Sequence, residues 1–376
     1  MIDRLIESKL RASTGIGKAV IVMGARQVGK TTVLHKLLDN AHDVLWLNGD
    51  DTDVRGLFEN VNSARLKAII GSSKTLVIDE AQRIRDIGIK LKLITDQIPE
   101  VQLFATGSSS FELANEINEP LTGRKREHKL YPLSYEEMVK SHGMLEEGRL
   151  IPHRLVFGYY PEVVMNAGNE KTILRELADS YLFKDILIWD AVKKSDKLVK
   201  LMQALALQTG SQVSYSEVGG LCGLDYKTVE KYITLLEQTY IVFRLGSFSR
   251  NLRNELKKSR KIYFYDNGIR NSLIANFTQL ESRTDVGALW ENFLMAERMK
   301  ALHYHDIWVN SWFWRTAQQK EIDLVEERGG KLSAFEFKWN PGAKTKDPKL
   351  FLDSYPNSSY SVIHRENFDN FLLLSD

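Results

Sequence analysis

Gly24-Ala25-Arg26-Gln27-Val28-Gly29-Lys30-Thr31-Thr32 stands directly behind the apolar run Ala19 to Met23, and Leu76-Val77-Ile78-Asp79-Glu80 follows downstream. The first stretch fits GxxxxGK[ST] where a buried strand should turn into a helix. Such a loop aims several backbone N–H groups and a helix N-terminus at one spot, which suits a polyphosphate. Lys30 is expected on the β and γ phosphates and Thr31 on Mg²⁺. Asp79 and Glu80 end a second apolar strand, so Asp79 is expected in the Mg²⁺ shell and Glu80 beside the attacking water. The chemistry these residues suit is binding and cleavage of a nucleoside triphosphate such as ATP. No guanine-reading NKxD occurs in the sequence, but adenine is not thereby proved.

Other polar residues fall where they could serve the same site. Thr106, Gly107 and Ser108 close the strand Leu103-Phe104-Ala105, and Ser108 is the candidate polar sensor of the γ-phosphate; a plain strand-ending turn is the alternative. Asp50 and Asp51 follow a further strand and are a weaker choice for the metal. In Leu121-Thr122-Gly123-Arg124-Lys125-Arg126, Arg124 is the candidate guanidinium for the γ-phosphate, from the same or a neighbouring subunit. A solvated basic turn would read the same way. Near the C-terminus, Gly329-Gly330 supports a two-residue hairpin turn, and pairing around it sets Asp323 opposite Glu336. Lys338 shares that face, and Ile322, Leu324, Phe335 and Phe337 fill the other. With Glu291 from an upstream helix, Asp323 and Glu336 form a candidate Mg²⁺ site in which Lys338 steadies a hydroxide or phosphate. A half-exposed hairpin with alternating charges is the competing reading. His303 and His305 lack a third ligand in the sequence pattern, and no zinc site is expected.

The elements that must position these groups follow from patterning. Short apolar runs alternate with helical patterns through the first 150 residues, which predicts a parallel sheet with crossover helices. Strands are expected at Ala19 to Met23, Val44 to Leu47, Leu76 to Ile78, Leu103 to Ala105 and near His128 to Leu130. Ser134-Tyr135-Glu136-Glu137 fits a capping box. Residues 151–208 read as a helical lid or connector. Residues 209–275 carry two short helices around the turn Cys222-Gly223-Leu224-Asp225 and then a strand, a winged helix-turn-helix pattern. Its second helix keeps Val229, Tyr232, Ile233 and Leu236 on one face. In segment 250–261, six basic residues (Arg250, Arg253, Lys257, Lys258, Arg260, Lys261) are opposed only by Glu255, which would suit salt-sensitive contact with DNA phosphates. Residues 276–376 form the last domain.

Composition constrains the class more than the task. The 376 residues allow two or three domains, and 43% hydrophobic with 27% charged residues describes an ordinary globular chain. A formal charge of +2 selects no partner. One cysteine, Cys222, excludes an intrachain disulfide and suits a reducing cytoplasm. No signal peptide is read at the charged N-terminus, and no stretch is long and apolar enough to span a bilayer.

The stretch resembles the AAA-type archaeal and bacterial ATPases that share GxRQVGKTT, a VIDEAQ strand end, a TGSSS strand end and an L-x-GR segment leading into YPLSxxE. Here these are Gly24 to Thr32, Val77 to Gln82, Thr106 to Ser110 and Leu121 to Glu137. The likeness continues through Phe157-Gly158-Tyr159-Tyr160-Pro161-Glu162, where relatives tend to have Gly-Gly. It implies a water-activating glutamate at Glu80 and assembly into rings or other homo-oligomers. The set Glu291, Asp323, Glu336-x-Lys338 resembles the restriction-endonuclease-like core, although Ile322 stands where that family often has proline. The fold expected is α/β: a P-loop NTPase sheet with a helical lid, then a winged helix and a nuclease-like α/β domain. Three functions remain open on the sequence: an Mg-ATP hydrolase acting on or near DNA, a nucleotide-gated switch whose C-terminal domain only binds a partner, and an ATP-dependent deoxyribonuclease.

Overall fold

A computed structural model of the chain describes residues 2–107, 120–182, 195–248, 260–316, 318–345 and 348–374. Its contacts divide it into two units, Met1–Pro132 with Gln238–Tyr240, and Leu133–Glu237 with Ile241–Asp376.

In the first unit, β1 (Ala19–Met23), β2 (Val44–Asn48), β3 (Thr75–Asp79), β4 (Gln102–Gly107) and β5 (Lys125–Lys129) form a sheet in the order β2-β3-β4-β1-β5. Every neighbouring pair is parallel. β1 lies inside this sheet and all five of its residues are buried, which is why it is an unbroken apolar run and not an alternating one. β5 closes one edge and is charged along its length; it starts at Lys125, earlier than the expected His128. Lysines on an edge strand oppose pairing with another sheet. The helix Ile87–Gln97 buries Ile87, Leu91 and Ile94, the spacing of one helical face. Because the strands are parallel, Met23, Asn48, Asp79 and Gly107 all end at the same sheet edge, with β4 between β1 and β3.

The second unit holds a seven-stranded sheet, ordered β12-β11-β10-β9-β7-β8-β6. Its strands are β6 (Gln212–Val213), β7 (Val242–Ser247), β8 (Arg260–Phe264), β9 (Asn310–Arg315), β10 (Glu321–Arg328), β11 (Lys331–Phe337) and β12 (Ser359–Ile363). The join is parallel pairing of β7 with β9, Gly246 against Trp312 and Ser247 against Phe313. Strands on both sides of residue 275 therefore share one ladder. The β10–β11 hairpin turns at Gly329 and Gly330, and its pairs run from Leu324 with Phe335 to Arg328 with Lys331. This is the register read from the turn.

Helices at Ser195–Leu207, Tyr215–Cys222 and Tyr226–Gln238 precede β7. Gly223 is left-handed at φ 63° and ends the middle one. Val229, Tyr232, Ile233 and Leu236 are buried on the last. The helix Tyr135–His142 starts at a capping box, with Ser134 and Glu137 bonded reciprocally. The long helix Val286–Tyr304 packs on this sheet and supplies the buried Trp290 and Phe293. Among the described residues, no helix is long and apolar enough to cross a membrane.

Candidate functional site

The glycine loop is shaped by close approach. A Cβ on Gly24 would lie 2.0 Å from the Leu130 carbonyl oxygen, so only glycine fits there. Gln27 and Gly29 take left-handed backbone at φ 57° and 95°. Gly29 is the N-cap of helix Lys30–Leu37, and no side chain caps that helix. The N-terminal end of such a helix favours an anion. Lys30 is buried and donates to the carbonyls of Gly24 at 3.0 Å and Ala25 at 2.9 Å, folding its ammonium into the loop. Of the other loop residues, Ala25 and Val28 are buried, Arg26 is half-buried and Thr32 is exposed.

The ends of β3 and β4 meet the first turn of the helix that follows the loop. The Thr31 hydroxyl donates to Asp79 Oδ2 at 2.8 Å. The Thr106 hydroxyl donates to Asp79 Oδ1 and accepts the Glu80 amide at 3.1 Å. Glu80 itself sits in left-handed backbone, φ 48°, and its Oε2 accepts from Gln82 Nε2 at 2.6 Å. An L-residue is strained in that conformation, and the bonds from Thr106 and Gln82 hold it there. Thr31 and Asp79 are the donor types Mg²⁺ takes when phosphates and waters complete its shell. An adjacent hydroxyl and carboxylate beside an uncapped helix terminus fit an Mg²⁺–triphosphate group.

Some expected site residues lie elsewhere. Ser108 lies outside the described residues. Asp50 pairs with Arg83 at 3.2 Å and Asp51 caps the helix Thr52–Leu57, so both serve the turn after β2. The structure does not bring Arg124 to the loop of its own chain. It precedes β5, its carbonyl accepts the Ala19 amide at 2.9 Å, and its side chain pairs with Asp96 at 2.5 Å. That is the opposite sheet edge, roughly 15 Å along the strands from the phosphate side.

One contributor was missed in the sequence. The buried Arg4 donates to the carbonyls of Val28 and Tyr131, each at 2.6 Å. It supports the loop from a position remote in sequence, and no motif marks it.

The residues of the C-terminal set take the following partners. Glu291 and Asp323 do come near one another, and both face the Lys261 ammonium, at 2.9 Å and 3.9 Å. Glu321, two residues before Asp323 on the same strand face, is nearer at 2.6 Å. Glu336 turns instead to Lys338 at 2.8 Å and the Tyr360 hydroxyl at 2.6 Å. Burial works against the charge of Lys261, but Glu291, Asp323 and Glu321 more than offset this and hold it above the usual lysine range. Burial, and then Glu291, push the Asp323 carboxyl up to about 7. Among the described residues no three His, Cys, Asp or Glu side chains are arranged to hold a metal ion. Where the sequence suggests a metal site at Asp323, Glu336 and Glu291, the Lys261 ammonium stands beside Glu291 and Asp323, and Glu336 pairs with Lys338.

The basic segment changes as well. Residues 250–259 lie outside the described residues, Arg260 is half-buried and Lys261 is 1% exposed. Lys261 is thus not available to a phosphate backbone.

Comparison with known proteins places these features. An AAA-domain family model matches residues 17–139. A domain of unknown function (DUF8612) matches 148–280 and another (DUF4143) matches 286–371. An uncharacterised protein of Mycobacterium tuberculosis is 25% identical over 335 residues, spanning 88% of this chain and 72% of that relative. An uncharacterised protein of Haemophilus influenzae is 25% identical over 339 residues, spanning 83% of this chain and 80% of its own length. A Walker-type ATPase of Pyrococcus abyssi shares the fold at TM-score 0.50 and 15% identity, over 73% of this chain and 96% of that one.

Proposed function

We propose, for a chain that belongs to the P-loop AAA-type ATPases, that it binds Mg-ATP on residues 24–32 and hydrolyses it to ADP and phosphate. One observation carries this reading. Asp79, at the end of β3, accepts the hydroxyls of Thr31 in the first turn of the uncapped helix and of Thr106 near the end of β4. On binding, Lys30 would exchange the loop carbonyls it now holds for phosphate oxygens, and the first-turn amides would complete the cradle. Thr31 and Asp79 would hold Mg²⁺, which supplies charge to the phosphoryl oxygens. Glu80 would take the proton of the attacking water, its carboxylate held by the Gln82 amide. Delivery of Arg124 to the γ-phosphate would require a second copy of the chain.

Glu80→Gln tests the hydrolytic half. Nucleotide binding should persist while turnover falls by roughly 10²–10⁴-fold, the usual value of a positioned base. Equal turnover in the two chains would refute the assignment.

The second unit supports recognition better than cutting. Its order of helix, strand, two helices and two strands reads as a winged helix, whose last helix exposes the mixed set Lys227, Glu230 and Lys231. Lys261 among the carboxylates favours a nucleotide-gated switch with a binding C-terminal domain over an ATP-dependent deoxyribonuclease. Action at DNA belongs to this proposal and is read out by salt-dependent binding of an oligonucleotide, with and without ATP.

A further inference from the structure

We propose that the Lys261 ammonium is the resident cation of the C-terminal carboxylate set, a built-in counter-ion that takes the place of a divalent metal and commits this domain to binding without phosphodiester cleavage.

The geometry is that of a filled site. Lys261 is 1% exposed, and its Nζ lies 2.6 Å from Glu321, 2.9 Å from Glu291 and 3.9 Å from Asp323. The Phe313 ring lies 5.6 Å from it. The carboxylates have fixed donors besides the lysine. Tyr263 donates to Glu291 Oε1 at 2.7 Å and the Phe337 amide to Asp323 Oδ2 at 2.8 Å, while Arg315 lies 3.5 Å from Glu321. A divalent ion sharing Glu291 and Asp323 would be forced against this ammonium, and Mg²⁺ demands oxygens at roughly 2.0–2.1 Å in octahedral array. Two cations in one buried pocket repel strongly, since little water screens them. Glu336, the remaining candidate ligand, is engaged by Lys338 and Tyr360.

The lysine comes from β8, ahead of residue 275, and reaches the carboxylates because β7 pairs with β9. A residue ahead of 275 thus completes the charge balance of the residues that follow it. This inference does not depend on the nucleotide reading, since every residue in it lies in the second unit.

The two possibilities predict opposite responses to loss of a carboxylate charge. In an empty metal site neutralising one carboxylate relieves repulsion and raises the unfolding temperature. In a filled ion-pair set it strands a buried ammonium and lowers it. Thermal unfolding of the full chain carrying Glu291→Gln, and separately Glu321→Gln, should show a midpoint reduced by roughly 4 °C or more in each. An unchanged or raised midpoint in Glu291→Gln overturns the proposal. As a second measurement, Mn²⁺ is titrated by electron paramagnetic resonance into the full chain with Asp79→Asn silencing the nucleotide site. No uptake that depends on Asp323 is expected. Stoichiometric Mn²⁺ uptake abolished by adding Asp323→Asn would overturn the proposal, whatever the nucleotide site does.

Discussion

Arg4 links the first turn of the chain to the nucleotide loop, and its two carbonyl bonds make it the most testable residue outside the motifs. Hydrogen bonds to a charged group contribute about 1.5–3 kcal/mol each when buried, and part of that support should appear in loop order. Arg4→Ala is expected to weaken ATP affinity about tenfold, with Arg4→Lys in between; unaltered affinity by fluorescence titration would remove Arg4 from the site. Asp323 gives a pH signature. Its carboxyl is raised from 3.8 to about 7, so the folded chain keeps a proton that the unfolded chain releases. The stability it contributes is full below the unfolded value and is lost as pH rises through about 7. Over roughly pH 5 to 8 the wild-type unfolding midpoint should fall relative to Asp323→Asn, and parallel profiles would count against it. The positions of Lys30, Thr31, Asp79 and Glu80 in the fold were legible because each lies at a strand end or follows closely on one. Arg4, Gln82 as a clamp on Glu80, and Lys261 were not, because their partners depend on tertiary approach or on a side-chain rotamer that spacing does not encode.

Turns and caps were the most readable elements. Gly329 and Gly330 have φ 58° and 78°, the two left-handed positions of a primed hairpin turn, and two residues of loop leave one register. Gly330→Val should therefore cost about 1–2 kcal/mol from the left-handed penalty, seen as a lower calorimetric midpoint; an unchanged midpoint would mean the turn relaxes freely. Ser134 and Glu137 were likewise visible as a capping box, since both bonds lie within one helical turn. Long-range pairing was not visible. The β7 to β9 join rests on Gly246, Ser247, Trp312 and Phe313, and nothing in either run identifies its partner. β5 escaped its expected start because Lys125, Arg126 and Glu127 are polar, as an edge strand permits and a buried strand does not. That shift places Arg124 at the far sheet edge.

At the scale of the molecule, contacts divide the chain at Pro132, with Gln238–Tyr240 belonging to the first unit. The continuous ladder from β6 to β12 makes residues on both sides of 275 parts of one cooperative structure. A fragment of residues 276–376 should consequently fail to fold alone, since β9 loses β7 and the carboxylates lose Lys261; a dispersed amide spectrum from that fragment would contradict this. Everything assigned to the first unit rests on occupancy of the loop at residues 24–32. Calorimetric titration of the folded full chain with ATP in excess Mg²⁺ tests this most directly. The expected result is saturable heat with one nucleotide per chain, absent in Lys30→Ala. No heat from the folded wild type, or equal heat from Lys30→Ala, would contradict it.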